Sequence, residues 1–289
     1  MIHEICDQNG EKTLWFSELG PTGYGLSLRI DKMLVDAKTP FQTLQIFENE
    51  AKGRVLILDD CVMLTEKEEP NYHEMLVHPA LLAHPNPKDV LIIGAGDGGT
   101  LREVVKHPSV ERAVLCEIDE EVVNYSRKFL PFTAVGLEHP KAEVFIGDGI
   151  EFMKRNADGF DVIIVDSTDP VGMAEGLFQT PFYKDVQRSL RKPGIFVQQA
   201  ESPYFLAKEW KQMFKDLKGV FSSVHPFGSS IPMYPTGYWT FAFASNDLDP
   251  WSRFSEVRAQ ELGTLDYYTP AHQYRAFAIP AGPSRLLEE

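Results

Sequence analysis

From Asp89 onward the chain repeats one pattern, a short apolar run followed by a segment of helical character, and this alternation restricts the fold more than any other feature. Residues 90–94, VLIIG, form a continuous apolar run, as a strand covered on both faces requires. The spacing predicts a helix over Thr100–Lys106, a strand at AVLCEID, and a helix over Glu120–Phe129 stopped by Pro131. It then predicts a strand at AEVFIGD, a helix over Gly149–Arg155, and a strand at FDVIIVD. A helix over Pro181–Leu190 and a Lys-Pro-Gly turn lead to IFVQQA as a fifth strand. Regular alternation of this kind implies an α/β fold with a doubly wound, Rossmann-like parallel sheet and right-handed crossovers. Ligands in such a fold lie at the carboxyl ends of the strands, near the point where strand order reverses.

The first part of the chain has a different texture. LWFSE, YGLSLRI, QTLQIFE and RVLILDD are short β-type segments separated by breaks such as GPTGYG and DAKTP. They predict a small antiparallel β domain over 1–66, with a Rossmann-like catalytic domain over 67–289. A short helix over Asn71–Ala83 would bridge the two. The 289 residues carry a formal net charge of −14, which disfavours nucleic acid and anionic lipid as partners and attracts cations. No apolar run approaches the ~20 residues of a membrane span, and the N-terminus lacks a basic start and an apolar h-region. Cys6, Cys61 and Cys116 are widely spaced, without disulfide or zinc patterning, and suit a reducing compartment. A cytoplasmic enzyme that neither enters a membrane nor binds nucleic acid is expected.

Gly94, Gly96 and Gly99 satisfy G-x-G-x-x-G between a strand and a helix. The loop brings backbone close to a ligand without naming it. Asp97 inside the loop separates the ligand classes. In a dinucleotide site a pyrophosphate faces such a loop, and like charges ~4 Å apart cost several kcal/mol even at an effective dielectric near 20. A nucleoside carrying a cation fits instead, which points to S-adenosyl sulfonium compounds. An aspartate here also opposes the carboxylate of S-adenosylmethionine and favours the bare ammonium of its decarboxylated form. Glu117 closes the second strand, where an acid accepts hydrogen bonds from ribose hydroxyls.

Strand three ends in Gly147-Asp148-Gly149; the glycines let a ring approach, and Asp148 could accept from an adenine amine. Strand four ends in Asp166-Ser167-Thr168-Asp169. Several acids in one pocket raise each other's pKa until a cation arrives, and a base tuned in that way suits proton removal from an alkyl ammonium.

QTLQIFE with Gln42, GRVLILDDCVMLTEKEEPNYHEM, VLIIGAGDGGTLREVVKHPSVERAVLCEIDEEVV, IGDG, FDVIIVDSTDP, IPMYPTGYWTF and YYTPAHQYRAFAIP together resemble the polyamine aminopropyltransferases, the spermidine synthase family. The resemblance runs from about Trp15 to Pro280. It implies the class I methyltransferase-like form of the fold and transfer of an aminopropyl group from decarboxylated S-adenosylmethionine to an amine. Putrescine would be the default acceptor, with cadaverine, agmatine and spermidine as alternatives. The resemblance further implies that Gln42, Gly94, Gly96, Glu117, Gly147 and Asp148 hold the nucleoside and that Asp97 holds the aminopropyl ammonium. Asp166 would be the catalytic base and Tyr72 would orient the amine. His73, Ser167, Thr168, Asp169 and Tyr234 would line the amine channel, with Trp15 covering its far end and Glu201 as a further partner for the distal ammonium. Decarboxylated S-adenosylmethionine is then a co-substrate, no prosthetic group or metal is expected, and a homodimer or homotetramer is implied.

Two positions depart from the family pattern. Met173 stands where family members carry proline beside the adenine, and Thr65-Glu66-Lys67-Glu68-Glu69-Pro70 replaces T-E-R-D-E-F at the channel entrance. His73 and His78 are five residues apart, about 140° around a helix, and do not make the zincin pair. The competing functions are a methyltransferase using S-adenosylmethionine, which Asp97 opposes, and a non-catalytic polyamine-binding protein, which Asp166 and Tyr72 oppose.

Overall fold

The computed structural model of the chain describes residues 1–6, 10–20, 23–170 and 172–288. Its first part holds two antiparallel sheets. β1 (Ile2–Cys6), β2 (Lys12–Leu19) and β3 (Gly25–Ile30) make one, and β4 (Lys32–Lys38), β5 (Thr43–Asn49), β6 (Gly53–Leu58) and β7 (Cys61–Thr65) the other. The sequence showed four β segments here and missed three strands. β1 and β4 are interrupted by charged residues, and RVLILDD covers β6 and the turn Asp59-Asp60 without reaching β7. Both turn residues have positive φ, 44° and 62°, the conformation that joins strands in a two-residue hairpin. The break predicted at GPTGYG includes Pro21 and Thr22, which lie outside the described residues.

α1 (Pro70–Ala83) opens with proline in its first turn, where the missing N–H costs nothing. Thirteen of its fourteen residues are buried. Its apolar side chains pack on one face of the large sheet, and Glu74 accepts from the backbone N–H of Asp266 (2.9 Å), Tyr267 (2.9 Å) and Tyr268 (2.6 Å), which ties the C-terminal segment across the helix. The large sheet follows as β8 (Asp89–Gly94), β9 (Arg112–Glu117), β10 (Ala142–Ile146), β11 (Phe160–Asp166), β12 (Leu190–Gln199), β13 (Ser223–Ser230) and β14 (Tyr238–Ser245). Its helices are α2 (Gly99–Val105), α3 (Glu120–Phe129), α4 (Pro131–Ala134), α5 (Gly149–Lys154), α6 (Thr180–Ser189) and α7 (Ala207–Lys218). Pro131 does not merely end α3; it starts α4.

Strand order is β10-β9-β8-β11-β12-β14-β13. The first five run parallel, and β14 and β13 add an antiparallel edge. The sequence pattern missed these last two strands. β13 contains Pro226 and Gly228, tolerable on an edge strand but disruptive to a strand pattern. Along the parallel strands successive residues face opposite layers. Ile92 and Ile164 join the α1 side, and Leu91 and Ile163 join Tyr183, Phe196, Trp210 and Phe214 on the other. β8 lies between β9 and β11, so chain order reverses across it and opens a crevice at the carboxyl ends of β8 and β11.

Candidate active site

Asp166 closes β11 at that crevice. Its Oδ1 accepts from the Tyr72 hydroxyl at 2.6 Å and its Oδ2 from the Thr100 hydroxyl at 2.6 Å. One donor comes from α1 and the other from α2, so two helices fix the carboxylate. The glycine loop is pressed against it. Gly94 has φ of +84°, a Cβ there would lie 2.2 Å from the Asp166 carbonyl oxygen, and Ala95 N–H donates to that oxygen at 2.9 Å. Only glycine tolerates both the dihedral and the approach. The loop then turns through Gly98 (φ +89°) into α2, and Asp97 Oδ1 accepts from Gly99 N–H at 2.8 Å.

Asp97 faces His73 Nε2 at 3.5 Å, and His73 Nδ1 lies 2.5 Å from Glu69 Oε2. Burial pushes Asp97 up to about 6, His73 opposing the rise and Asp166 adding to it. Burial alone would lower His73, but Asp97, Glu69 and Asp166 carry it to about 9. Among the described residues, His73, Asp97 and Asp166 are the one group whose ligand atoms converge closely enough, within 4.8 Å, for a metal. Both Asp166 oxygens already accept hydroxyl protons, so the acidic capacity left over suits an ammonium at least as well.

On the β9 side, Glu117 is 7% exposed. It accepts from Gly96 N–H (3.1 Å) and Asp119 N–H (2.9 Å). A Cβ on Gly96 would sit 2.9 Å from Glu117 Oε2, so the absence of a side chain lets the carboxylate reach the loop. Burial raises Glu117 to about 7 despite those donors. Gln42 Nε2 donates to Asp119 Oδ2 at 2.9 Å, which brings Gln42 from the N-terminal β domain to the edge of this side. Gly147 N–H donates to the Glu117 carbonyl at 2.8 Å. Asp148 is exposed and caps α5 through Ile150 N–H at 2.7 Å. Met173 is 61% exposed at the start of the 3₁₀ turn Gly172–Phe178.

On the other side of Asp166 a narrow cleft is lined by Glu18, Tyr72, Ser167, Thr168, Asp169, Gln199, Phe205, Tyr234 and Trp239. Tyr234 packs its ring against Tyr72 (5.6 Å between centroids) and Trp239 (4.6 Å), while its hydroxyl donates to the Met63 carbonyl at 2.8 Å. Tyr234 therefore walls the cleft with its ring. Trp15 does not line it. Glu18, three residues on along β2, does, because odd spacing along a strand reverses the face. Burial pushes Glu18 up to about 7, with Asp169 adding to the rise. Glu201 is 2% exposed with φ of +62°; its Oε1 accepts from Gln199 at 3.0 Å, and its buried Oε2 has no donor. Burial raises Glu201 well above the usual carboxylate range, with Asp169 next in effect, and burial raises Asp169 too. These two carboxyls repel unless they share a proton or meet a cation. Ala95, whose N–H donates to the Asp166 carbonyl, and Glu201, which accepts from Gln199, are non-glycine residues held at φ of 61° and 62° beside this crevice. Strain of about 1–3 kcal/mol at each is typical where surrounding structure dictates a site's shape.

Two family models match. The spermine/spermidine synthase domain matches residues 69–253 and the spermidine synthase tetramerisation domain residues 14–66. The chain is 45% identical over 269 residues to a polyamine aminopropyltransferase of Clostridium kluyveri, spanning 92% of this chain and 96% of the relative. It is 45% identical over 278 residues to one from Thermoanaerobacter pseudethanolicus, spanning 96% and 99%. The chain belongs to the spermine/spermidine synthase family. Solved structures agree. Spermidine synthase from Thermotoga maritima superposes with a TM-score of 0.91 at 38% identity, covering 95% of this chain and 94% of that one. A spermidine synthase in complex with the transition state analogue AdoDATO gives 0.93 at 37% identity, covering 98% and 97%. The protein is thus an aminopropyltransferase-family enzyme with the methyltransferase-like fold. Among the described residues no helix is long and apolar enough to cross a membrane.

The structure gathers Tyr72, His73, Asp97, Asp166, Asp169 and Tyr234 of this synthase-family chain around one crevice. Sequence reasoning missed Thr100, Glu18, Gln199, Glu69 and Arg102. Thr100 follows the glycine loop directly and could have been found from its place in the first turn of α2. Glu18 and Gln199 reach the site only through packing, and Glu69 and Arg102 stand behind it, Glu69 against His73 and Arg102 against Glu69.

The raised acids carry a stability consequence. Glu117 (about 7 against 4.5) and Asp97 (about 6 against 3.8) hold protons in the folded chain that the unfolded chain has already released. His73, raised to about 9 from 6.5, stabilises fully below its unfolded value and loses that contribution as pH rises through 9. These three groups bind more protons in the native state, so their terms have one sign, and burial-lowered His84, His107, His225 and His272 act against them only below about pH 6.5; above pH 7 stability therefore falls as pH rises. Thermal melts of the unliganded enzyme should show Tm declining from pH 7 to 9, with a shallower slope in Glu117→Gln. A Tm that climbs across that range would contradict the assignment.

Proposed function

We propose that the enzyme transfers the aminopropyl group of decarboxylated S-adenosylmethionine to putrescine, giving spermidine and 5′-methylthioadenosine. The observation that carries this is the pair Asp97 and Asp166 in one crevice. Both are largely enclosed, and among the described residues no Lys or Arg is paired with either. Such a crevice suits two cationic amines, one on each side of a reacting carbon.

Glu117 would bind the ribose hydroxyls, Gln42 would support that side through Asp119, and Gly147 and Asp148 would border the adenine, with Met173 over its outer edge. Asp97 would pair with the aminopropyl ammonium. The acceptor would enter along the cleft, with its distal ammonium between Glu18, Asp169 and Glu201, whose repulsion it relieves. Ser167 and Thr168 would contribute backbone and hydroxyl oxygens along its path. At the reacting end Asp166 takes a proton from the primary ammonium, and Tyr72 holds both the base and the amine. The neutral nitrogen then attacks the carbon bonded to sulfur. A C–N bond forms, the C–S bond breaks with its electron pair going to sulfur, and methylthioadenosine leaves uncharged. Alignment and exclusion of water supply most of the acceleration. No step calls for a prosthetic group or metal.

Cadaverine, agmatine and spermidine are the competing acceptors, and the length of the cleft beyond Asp169 chooses among them. Use of S-adenosylmethionine as a methyl donor is the less favoured reading, because Asp97 opposes its carboxylate. We also assign the enzyme to the cytoplasm as a homodimer or homotetramer, with residues 1–66 as the associating domain and 67–289 as the catalytic one. The match of residues 14–66 to a tetramerisation domain supports this. Incubation with decarboxylated S-adenosylmethionine and each amine in turn, read by mass spectrometry, tests the function. Spermidine and methylthioadenosine should accumulate fastest with putrescine. No methylthioadenosine with any amine would refute aminopropyl transfer.

A further inference from the structure

Behind the crevice lies a chain of charges that none of the roles above uses. Glu69 precedes α1 and Arg102 lies one turn into α2. Arg102 Nη1 donates to Glu69 Oε1 at 2.7 Å and Nη2 donates to Glu69 Oε2 at 2.9 Å, a bidentate pair. The side chains are only 3% and 16% exposed. Arg102 is itself held by the Phe132 carbonyl (2.8 Å) and Glu103 Oε1 (2.6 Å). Glu69 in turn meets His73 Nδ1, and the His73 ring is wedged under the glycine loop. A Cβ on Gly99 would lie 2.3 to 2.6 Å from three of its ring atoms.

This pair joins the two helices whose hydroxyls meet on Asp166, Tyr72 from α1 and Thr100 from α2. The separation of α1 and α2 therefore sets how the base is held, and the His73 wedge sets the height of Asp97 against it. Neither Glu69 nor Arg102 touches the crevice. A largely buried ion pair stabilises a fold little compared with an apolar pair of the same volume, so stability alone does not account for it. Bidentate geometry supplies a fixed distance and angle, which Lys would not.

We propose that Glu69 and Arg102 are positioning residues that clamp α1 to α2, and through His73 set the spacing between the acceptor-holding Tyr72–Asp166 pair and the Asp97 loop. The inference rests on the aminopropyl-transfer reading. Misplacement of reacting groups by about 1 Å costs on the order of 100-fold in rate, whereas Glu117 at the end of β9 and Gly147 and Asp148 after β10, on the nucleoside side, lie outside the clamp.

The test is steady-state kinetics on wild type, Arg102→Met, Arg102→Lys and the double variant Glu69→Gln/Arg102→Met, with calorimetric binding of methylthioadenosine. The double variant removes both charges of the pair, keeps an acceptor for His73 and leaves Glu103 paired with Lys106 (2.7 Å) and His78 (3.1 Å), so it decides the matter where Arg102→Met fails to fold. The expected result is kcat lowered about 10- to 100-fold in Arg102→Met and in the double variant, with Arg102→Lys between them and wild type. KM for decarboxylated S-adenosylmethionine and Kd for methylthioadenosine should stay within about threefold of wild type, which a general loss of fold would not allow. Wild-type kcat in the double variant, or methylthioadenosine affinity falling in step with kcat, overturns the clamp. An inactive wild type overturns the functional reading itself and the clamp with it.

Discussion

Asp166→Asn should lower turnover by roughly 10²–10⁴-fold, the range for loss of a general base, while methylthioadenosine still binds. Asp166 is an acceptor for two hydroxyl donors, Tyr72 and Thr100, each at 2.6 Å. An asparagine offers one oxygen and one NH₂, so one hydroxyl loses its acceptor and the amine loses its base together. The substitution is close to isosteric, and the neighbouring loop contact is through the backbone carbonyl, so the fold should survive. The residual rate should climb with pH as more of the acceptor becomes neutral in solution. Initial rates of methylthioadenosine release from pH 6 to 10 measure this. Near-normal turnover at neutral pH would remove Asp166 from the role of base.

Asp97→Asn should act on cofactor choice. A carboxylate about 4 Å from an ammonium is worth about 4 kcal/mol at an effective dielectric near 20, so affinity for decarboxylated S-adenosylmethionine should fall by about 10²–10³-fold. Affinity for S-adenosylmethionine, whose carboxylate Asp97 repels, should fall less or improve. The ratio of the two affinities should contract toward unity, and calorimetry on both ligands reads it directly. Because Asp97 also accepts from Gly99 N–H at 2.8 Å, a purely structural role would weaken both ligands equally. An unchanged ratio would therefore sink the selectivity argument. His73 shapes this contact, since its imidazole 3.5 Å away offsets the burial of Asp97 while the site is empty.

Much of the fold was legible because its signals are local. Parallel strands covered on both faces read as apolar runs, and β8, β9, β10, β11 and β12 all announced themselves in that way. β13 and β14 did not, since Pro226 and Gly228 break the pattern and the antiparallel edge is defined by pairing with β12. In the N-terminal β domain β6 was legible up to the turn Asp59-Asp60, while the five-residue β7 beyond it was missed. The turn's positive φ values are a property of the hairpin and not of the composition.

The same division holds for the crevice ringed by acids. The sequence by itself determined the glycine loop with Asp97 inside it and the acids that close β9, β10 and β11. In a doubly wound sheet the end of each strand is a fixed address at the ligand crevice, so position along the chain translates into position at the site. Only the tertiary structure decided what each acid meets. It brought Tyr72 and Thr100 from two helices onto Asp166, turned Glu18 in place of Trp15 into the cleft, and set Glu201 against Asp169. It also spent the Tyr234 hydroxyl on a backbone carbonyl and placed Arg102 and Glu69 behind His73. Across elements those partners range from 32 residues apart for Asp169 and Glu201 to 171 for Met63 and Tyr234, and Trp15 and Glu18 lie on faces that odd spacing along one strand reverses. Packing between layers, which leaves no periodic mark in a single sequence, is what brings them together.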